Sequence, residues 1–152
     1  MGAELELLRS ALRAEVPVLG LCWGGQALAV AMGGRVAPAP APEIGWLSVP
    51  STDPDLPEGP WLHYHYEAFT VPPGATELAR SPAGASAFRA GRHLGLQFHP
   101  EATAAMGASW GRADPNQPAA AVRALAREGA RCEGPARPQA FALFDAWYAR
   151  AV

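Results

Sequence analysis

The sequence lacks lysine, has only two cysteines and contains no long apolar run. All twelve basic residues are arginine, and the net charge of −2 excludes the strongly basic footprint of nucleic-acid-binding domains. No apolar run reaches transmembrane length, and residues 1–16 carry too many charges for a signal peptide. These absences predict a cytoplasmic protein without a nucleic-acid or membrane partner. The length of 152 residues predicts a single domain, residues 1–152, with a real core.

Cys22 stands between a strand-like stretch and a helix-like stretch. Residues 16–20 are apolar and of strand length, whereas residues 24–32 are rich in helix formers. A cysteine on such a turn fits a nucleophile elbow, in which Gly20 and Gly24 tolerate a tight bend that lifts the thiol clear of the sheet. The positive end of the helix favours a thiolate, and the Trp23 N–H is placed to donate to a developing oxyanion. The alternative is a small buried cysteine without a chemical role.

A second candidate centre lies far downstream, at His99 and Glu101. Residues 94–98 have the pattern of a buried strand, and His99 follows where that strand would end, at the edge where α/β sheets present their ligands. In extended chain Glu101 points to the same side as His99, and Pro100 stiffens the backbone between them. The pattern predicts that Glu101 orients His99 as a base for the thiol. The alternative is a strand end capped by polar residues.

Together these segments resemble the motifs of the class I glutamine amidotransferases, the family that includes the amidotransferase half of GMP synthetase. Residues Pro17–Gln26 resemble the family's nucleophile motif, and Gly95–Glu101 resemble its histidine-glutamate motif at about the expected separation. Weaker similarity is found in Gly33-Gly34 followed by Val36, in Glu43–Trp46 and in His63–Phe69.

The resemblance implies hydrolysis of the glutamine side-chain amide. Cys22 would attack the amide, His99 would give a proton to the leaving ammonia, and Glu101 would orient the histidine, after which water would release glutamate from the thioester. The motifs also imply substrate-binding positions at Trp23, Gln26, Tyr64, His65, Tyr66 and Glu67, with Tyr66 standing where the family commonly has glycine. The resemblance implies no cofactor and no metal. It implies a partner synthase that accepts the ammonia.

The resemblance also implies an α/β, flavodoxin-like fold, with a mainly parallel sheet, helices on both faces and an antiparallel extension. The motif-bearing part covers about residues 7–110. Relative to the family, the first strand-helix-strand portion is expected to be missing together with the second oxyanion donor, whose loss costs about 100- to 1,000-fold in turnover. Residues 16–20 would then form an exposed sheet edge through which copies associate. A late start codon, a fragment that associates with another chain and a decayed paralogue each explain such a truncation.

Proline and glycine organise the rest of the chain. Residues 38–42 and 50–60 are predicted to be surface connections, and short strands are predicted near 46–49, 61–64, 76–80, 85–89 and 93–98. Two C-terminal helices are predicted within about residues 118–151: residues 119–128, ended by Gly129, and residues 141–150, introduced by Pro138. Cys132 would lie in the loop between them. A disulfide to Cys132 is excluded if Cys22 is the nucleophile, because the elbow requires a reduced thiol.

Three other functions fit part of the pattern. A γ-glutamyl hydrolase shares the same elbow and dyad, and a dienelactone-hydrolase-like esterase carries a similar Gly-x-Cys-x-Gly-Gly segment. A non-catalytic amidotransferase-like subunit would keep the fold and stabilise a synthase. Gln26 and the sequence from His99 to Glu101 favour glutamine over an ester. A metal site at His63 and His65 has no third ligand evident in the sequence.

Overall fold

The computed structural model describes residues 2–152, which form four helices and six strands. In chain order they are α1 (Gly2–Arg13), β1 (Leu19–Leu21), α2 (Trp23–Ala31), β2 (Val36–Leu47), β3 (Trp61–Phe69), β4 (Thr76–Ser81), β5 (Gly84–Ala90), β6 (His93–Leu96), α3 (Ala104–Ala113) and α4 (Ala119–Ala151). Each predicted strand overlaps an observed one, and the predicted elbow strand and helix overlap β1 and α2. Within residues 2–152, no helix has both the length and the hydropathy needed to cross a membrane.

The main sheet is mixed. Its strand order is β1-β6-β5-β4, and β2 and β3 form a separate antiparallel pair. β1 runs parallel to β6, whereas β6, β5 and β4 are antiparallel neighbours. The connections Pro82-Ala83 and Gly91-Arg92 have only two residues, and connections this short join antiparallel strands. The α/β class and the predicted antiparallel extension are therefore confirmed, and within the described sheet the β1–β6 pairing is the parallel part.

The parallel pairing of β1 with β6 brings the two sequence motifs together. Its register pairs Leu19 with Leu94 and Leu21 with Leu96. The Cys22 N–H then donates to the Leu96 carbonyl at 2.9 Å, so that the nucleophile and the segment leading to His99 leave the sheet at the same edge. Among the described strands β1 pairs only with β6, which confirms the predicted edge position of the elbow strand.

Helices cover both faces of the main sheet. Neighbouring residues of β5 enter two different cores, because successive side chains of a strand point to opposite faces. Ala87 packs in the core that includes Leu125 and Leu143 of α4, whereas Phe88 packs in the core that includes Leu28 of α2. The prediction of helices on both faces is confirmed.

The C-terminal segment forms one helix of 33 residues rather than two. Gly129 does not end it, because this glycine lies where α4 crosses α3, and a Cβ there would come within 2.8 Å of the Ala104 Cβ. Pro135 and Pro138 lie inside the helix. The buried side chains of Ala136, Ala140 and Leu143 keep this part of α4 packed on the core despite the prolines. Cys132 is accordingly helical, which corrects the predicted loop.

The proline-rich segment belongs to β2 instead of forming a surface connection. Pro38 pairs with Glu67 and Glu43 pairs with His65, with a register shift between these two pairs. A bulge leaves its residues outside the ladder, so that the missing N–H groups of Pro40 and Pro42 cost no cross-strand hydrogen bond. The predicted connection at residues 50–60 is confirmed as a segment between β2 and β3.

Candidate active site

Cys22 occupies a strained elbow between β1 and α2. Its φ of 48° and ψ of −108° lie in a region that side-chain-bearing residues rarely adopt. The elbow is tight because two glycines allow backbone contact: a Cβ on Gly20 would lie 2.5 Å from the Gly24 carbonyl oxygen, and one on Gly25 would lie 2.3 Å from the Leu96 carbonyl oxygen. At Gly24 a Cβ would have no described heavy atom within 4 Å. Gly20 is therefore confirmed as a residue whose missing side chain permits the tight elbow. On the helix side, Gly25 has this property, which was predicted for Gly24.

The Cys22 thiol is half-buried among polar groups. Its Sγ lies 3.9 Å from the Tyr64 carbonyl oxygen and 3.9 Å from the Gln97 Nε2 atom. Cys22 is also one of the groups that raise the pKa of His99. Gln97 was not identified from the sequence, although its position two residues before His99 is the signal that places it at the same sheet edge.

His99 is fixed by both its backbone and its side chain. Its N–H donates to the Leu62 carbonyl at 2.8 Å, and its Nδ1 lies 2.7 Å from the Glu101 Oε1 atom. The Trp110 ring covers the imidazole with a centroid distance of 4.7 Å. Pro100 and Glu101 form a turn in which the Ala102 N–H donates to the His99 carbonyl, so the predicted extended geometry is wrong although the predicted contact is present.

The electrostatics of His99 favour a charged imidazole beside the thiol. Burial by itself lowers the pKa of His99, but its hydrogen bonds to Cys22 and Glu101 outweigh burial and raise the pKa to about 9. His99 therefore keeps its proton at neutral pH beside the Cys22 thiol. A protonated imidazole next to a thiol is an arrangement that activates a cysteine nucleophile.

An open depression of about 490 Å³ begins at His99. Its lining includes Tyr64, Tyr66, Trp110 and Asp114. The Asp114 Oδ2 atom accepts hydrogen bonds from the hydroxyls of Tyr64 at 3.0 Å and Tyr66 at 2.5 Å. Burial, followed by the Asp114 carboxylate, raises the pKa of Tyr64. Both tyrosines keep their protons as hydrogen-bond donors, and Asp114 is a lining residue that was not identified from the sequence.

Gln26 lies behind the thiol rather than in this depression. It is 6% exposed, and its Nε2 donates to the Glu67 carbonyl at 3.1 Å and to the Gln97 Oε1 at 3.4 Å. Gln97 in turn reaches the Cys22 sulfur. The amide of Gln26 thus connects the Glu67 backbone in β3 to the Gln97 amide that touches the nucleophile.

Trp23 and Glu67 lie on another side of the elbow. With Gln26 and Leu5 they line a second depression of about 320 Å³. The Trp23 side chain is 49% exposed, and its backbone N–H is at the first turn of α2. The structure therefore brings Cys22, His99, Glu101, Tyr64 and Tyr66 together, and it places Trp23, Gln26 and Glu67 beside them.

His65 is buried away from both depressions. It is 4% exposed, with its Nδ1 atom 2.9 Å from the Glu67 carbonyl oxygen and its Nε2 atom 3.1 Å from Glu43 Oε2. Substrate contact through this side chain, as predicted, does not agree with the structure. Its strand position explains the difference, because Tyr64 and Tyr66 point to the opposite face of β3.

Glu43 is the carboxylate at the centre of this buried group. Burial by itself raises the pKa of Glu43, but hydrogen bonds from His63 and Ser81 outweigh burial and lower the pKa to about 2. The group joins β2, β3 and the end of β4. Glu43 was noted in the sequence only as the start of a strand.

Comparison with known proteins supports the family suggested by the motifs. A family model described as Glutamine amidotransferase class-I matches residues 1–109. The GMP synthase (glutamine-hydrolyzing) of Thermomicrobium roseum is 39% identical over 102 residues, which cover 59% of this chain and 19% of that protein. A subunit of the GMP synthase (glutamine-hydrolyzing) of Ignicoccus hospitalis is 35% identical over 104 residues, which cover 62% of this chain and 55% of that subunit. The chain thus matches only part of each relative.

Solved structures show the same fold over almost the whole chain. A glutamine amido transferase from Methylobacillus flagellatus covers 97% of this chain, with 68% of its own length matched, a TM-score of 0.79 and 32% identity. A glutamine amidotransferase from Thermotoga maritima covers 96% of this chain, with 68% of its own length matched, a TM-score of 0.81 and 27% identity. The predicted flavodoxin-like, amidotransferase-like fold is confirmed. With its cysteine elbow, paired histidine and matching family model, the chain belongs to the class I glutamine amidotransferases.

Proposed function

We propose that this chain hydrolyses the side-chain amide of glutamine to glutamate and ammonia, with Cys22 as nucleophile. The observation that supports the proposal is the contact of 2.7 Å between His99 Nδ1 and Glu101 Oε1, in a histidine whose pKa is raised by both Cys22 and Glu101. Because Glu101 holds Nδ1, the other ring nitrogen, Nε2, is the one available to the thiol and the substrate.

The reaction begins with attack of the Cys22 thiolate on the amide carbon. A C–S bond forms, and the negative charge moves to the amide oxygen, towards which the Trp23 backbone N–H would donate. The tetrahedral intermediate collapses as the C–N bond breaks, and protonated His99 gives its proton to the leaving nitrogen so that ammonia departs.

The second half of the reaction releases glutamate. Neutral His99 takes a proton from water as the water oxygen attacks the thioester carbon. The C–S bond then breaks, and the Cys22 thiolate forms again beside the imidazolium. Glu101 keeps the imidazole oriented in both halves and stabilises its charge.

The two depressions suggest how glutamine is held. The depression at His99 presents the hydroxyls of Tyr64 and Tyr66, whose orientation is fixed by Asp114. We assign the amino-acid head of glutamine to this tyrosine side. Gln26 acts by holding Gln97 and the Glu67 backbone, and His65 supports the same part of β3 through its contact with the Glu67 carbonyl oxygen.

The proposed fate of the ammonia is a partner synthase in the cytoplasm. This extends to the chain the function of its relatives, which include a GMP synthase and one subunit of another GMP synthase. The acceptor of the nitrogen would then be set by the partner, and the present chain would supply ammonia. The exposed edge of β1 is the proposed contact with a partner or a second copy.

The test is release of glutamate and ammonia from glutamine by the purified chain, alone and with a neighbouring synthase. Cys22→Ser should lower turnover by more than about 1,000-fold, because the nucleophile is lost while binding groups remain. Cys132→Ser is the matched control, since it changes the other cysteine, which lies in α4, and should leave turnover within about twofold. Hydrolysis that survives Cys22→Ser would contradict the mechanism.

Two further outcomes separate the alternatives. Faster cleavage of γ-glutamyl peptides than of glutamine would favour a γ-glutamyl hydrolase, and cleavage of esters alone would favour the esterase. If the wild-type chain binds a synthase tightly but releases no ammonia with or without it, the non-catalytic subunit is favoured instead.

A further inference from the structure

Three buried titratable side chains converge outside the Cys22, His99 and Glu101 triad. His63 is fully buried, His65 is 4% exposed and Glu43 is 8% exposed. One atom from each meets the others: Glu43 Oε2 lies 3.2 Å from His63 Nδ1 and 3.1 Å from His65 Nε2, and the two ring nitrogens are 3.5 Å apart. Three potential metal-ligand atoms therefore face a common point between β2 and β3.

The hydrogen bonding of His65 shows that this point requires a positive centre. His65 Nδ1 faces the Glu67 carbonyl oxygen, which can only accept, so Nδ1 carries the proton. In the neutral ring His65 Nε2 then presents a lone pair to the carboxylate oxygen of Glu43. Two acceptors 3.1 Å apart repel each other unless a proton or a metal ion lies between them.

The spacing of the three atoms matches one face of a tetrahedral zinc site. Zinc binds histidine nitrogen and carboxylate oxygen at about 2.0–2.1 Å, which places neighbouring tetrahedral ligands about 3.3 Å apart. The observed separations of 3.1, 3.2 and 3.5 Å bracket this value. Two imidazoles and one carboxylate are also a ligand set that selects zinc or a similar divalent transition metal over calcium or magnesium.

The contacts around His65 and Glu43 have the form of a metal site's supporting shell, whereas the buried Nε2 atom of His63 has no hydrogen-bond partner among the described atoms. The Nδ1–H of His65 donates to a backbone carbonyl, the contact that fixes the ring orientation of metal-bound histidines. The Glu43 carboxylate receives hydrogen bonds from the Ser81 hydroxyl at 2.9 Å and from the Ala83 N–H at 3.3 Å. These two donors hold the carboxylate in place, whereas the proton that His63 Nδ1 donates to Glu43 in the metal-free chain would be released when an ion binds.

We propose that Glu43, His63 and His65 bind one divalent transition-metal ion, with zinc as the best match, through Glu43 Oε2, His63 Nδ1 and His65 Nε2. A water molecule completes the tetrahedron. The ion would connect the β2–β3 pair to the end of β4, and so stabilise the part of β3 whose Tyr64 and Glu67 backbone groups face Cys22 and Gln26. The site is structural and does not depend on the proposed glutamine chemistry.

The experiment must first remove zinc binding by thiols, so the parent is the full chain with Cys22→Ala and Cys132→Ala. After dialysis against a chelator, the parent should take up one zinc per chain in a titration against a competing chelator of known affinity. Co²⁺ bound in place of zinc should show the absorption of tetrahedral nitrogen and oxygen coordination. In the same parent, His63→Gln and Glu43→Gln should each weaken binding by about 100-fold or more, because each removes a direct ligand and even supporting contacts are worth about 10- to 100-fold.

His93→Gln is the matched control, since it removes a histidine outside the cluster and should bind zinc like the parent. A second measurement avoids ligand variants: in the ¹⁵N-labelled parent, zinc should shift the Nδ1 resonance of His63 and the Nε2 resonance of His65 and leave His93 and His99 unchanged. If the parent protein is folded but takes up no zinc, the proposal is wrong. The positive centre between His65 and Glu43 is then a proton. Equal binding by the parent and the His63→Gln variant, or uptake removed by a weak chelator, would mean an adventitious ion only.

Discussion

Two adjacent glycines in the elbow should respond in opposite ways to the same substitution. In Gly25→Ala the added Cβ would lie 2.3 Å from the Leu96 carbonyl oxygen, so that oxygen must retreat by about 1.1 Å to reach the ordinary contact distance of 3.4 Å. The same oxygen accepts the Cys22 N–H at 2.9 Å, and the movement breaks that hydrogen bond. In Gly24→Ala the added Cβ meets no described heavy atom within 4 Å.

The expected free-energy changes follow from these contacts. In Gly25→Ala the lost hydrogen bond costs about 1 kcal/mol and overpacking costs about 1–3 kcal/mol, while the better helix propensity of alanine returns about 1 kcal/mol. The net destabilisation is about 1–3 kcal/mol. Gly24→Ala has only the propensity gain, and should raise the free energy of unfolding by up to about 1 kcal/mol.

The free energy of unfolding in urea is measured for both variants and the wild type. The alkylation rate of Cys22 is then measured for the same three proteins. A displacement of about 1 Å at the elbow in Gly25→Ala should also reduce glutamine turnover by about 100-fold. Equal stabilities for the two alanine variants would refute the close backbone contact between α2 and β6. Loss of turnover in Gly24→Ala with stability unchanged would show instead that position 24 acts in the reaction.

Three further predictions concern charge and helix geometry. Glu101→Gln removes a group that raises the pKa of His99 to about 9. In a plot of the Cys22 alkylation rate against pH, the change at high pH should therefore move to lower pH by about one unit or more. An unchanged profile would exclude the ion pair between His99 and Glu101. Asp114→Asn should lower the pKa of Tyr64, detectable as tyrosinate absorbance at lower pH than in the wild type, since the carboxylate opposes its ionisation. Pro138→Ala should raise the free energy of unfolding in urea by about 1–3 kcal/mol, because it restores an N–H inside α4; destabilisation would indicate that the helix needs the proline.

The raised pKa of His99 also determines how the free energy of unfolding changes with pH. A histidine whose folded-state pKa lies above its unfolded value contributes stability that is complete below about pH 6.5. That contribution is lost as the pH rises through about 9, the folded-state pKa. Stability of the wild type should therefore fall more steeply across this range than that of a His99→Gln variant.

The parts of the candidate site that could be predicted from the sequence are those whose structure is determined by a short stretch of the chain. The apolar stretch, the glycines and the helix formers around Cys22 determine the elbow within a short segment, and the same holds for the strand before His99. Asp114 was missed because it has no local signal, and Gln97 was missed although its place two residues before His99 puts it at the same sheet edge. Their roles arise when β6 and α3 are brought against the elbow.

Long-range packing also explains the corrections. Gly129 has the local character of a helix end, but it permits contact between α3 and α4, and burial of the residues after it outweighs two prolines. His65 has the local character of a binding residue, but the strand alternation turns it towards Glu43. In both cases the deciding partner is distant in the sequence.

The three-residue strand β1 has a consequence for how the chain folds. It is held in the sheet by pairing with β6 alone among the described strands, and the thiol and the amide of Gln97 that meet there are 75 residues apart in the sequence. Closing so long a loop is costly in entropy and slow relative to forming the β4–β5–β6 hairpins. Cys22 therefore comes next to His99 late in folding. The rise of Cys22 reactivity during refolding should then report the rate at which β1 pairs with β6.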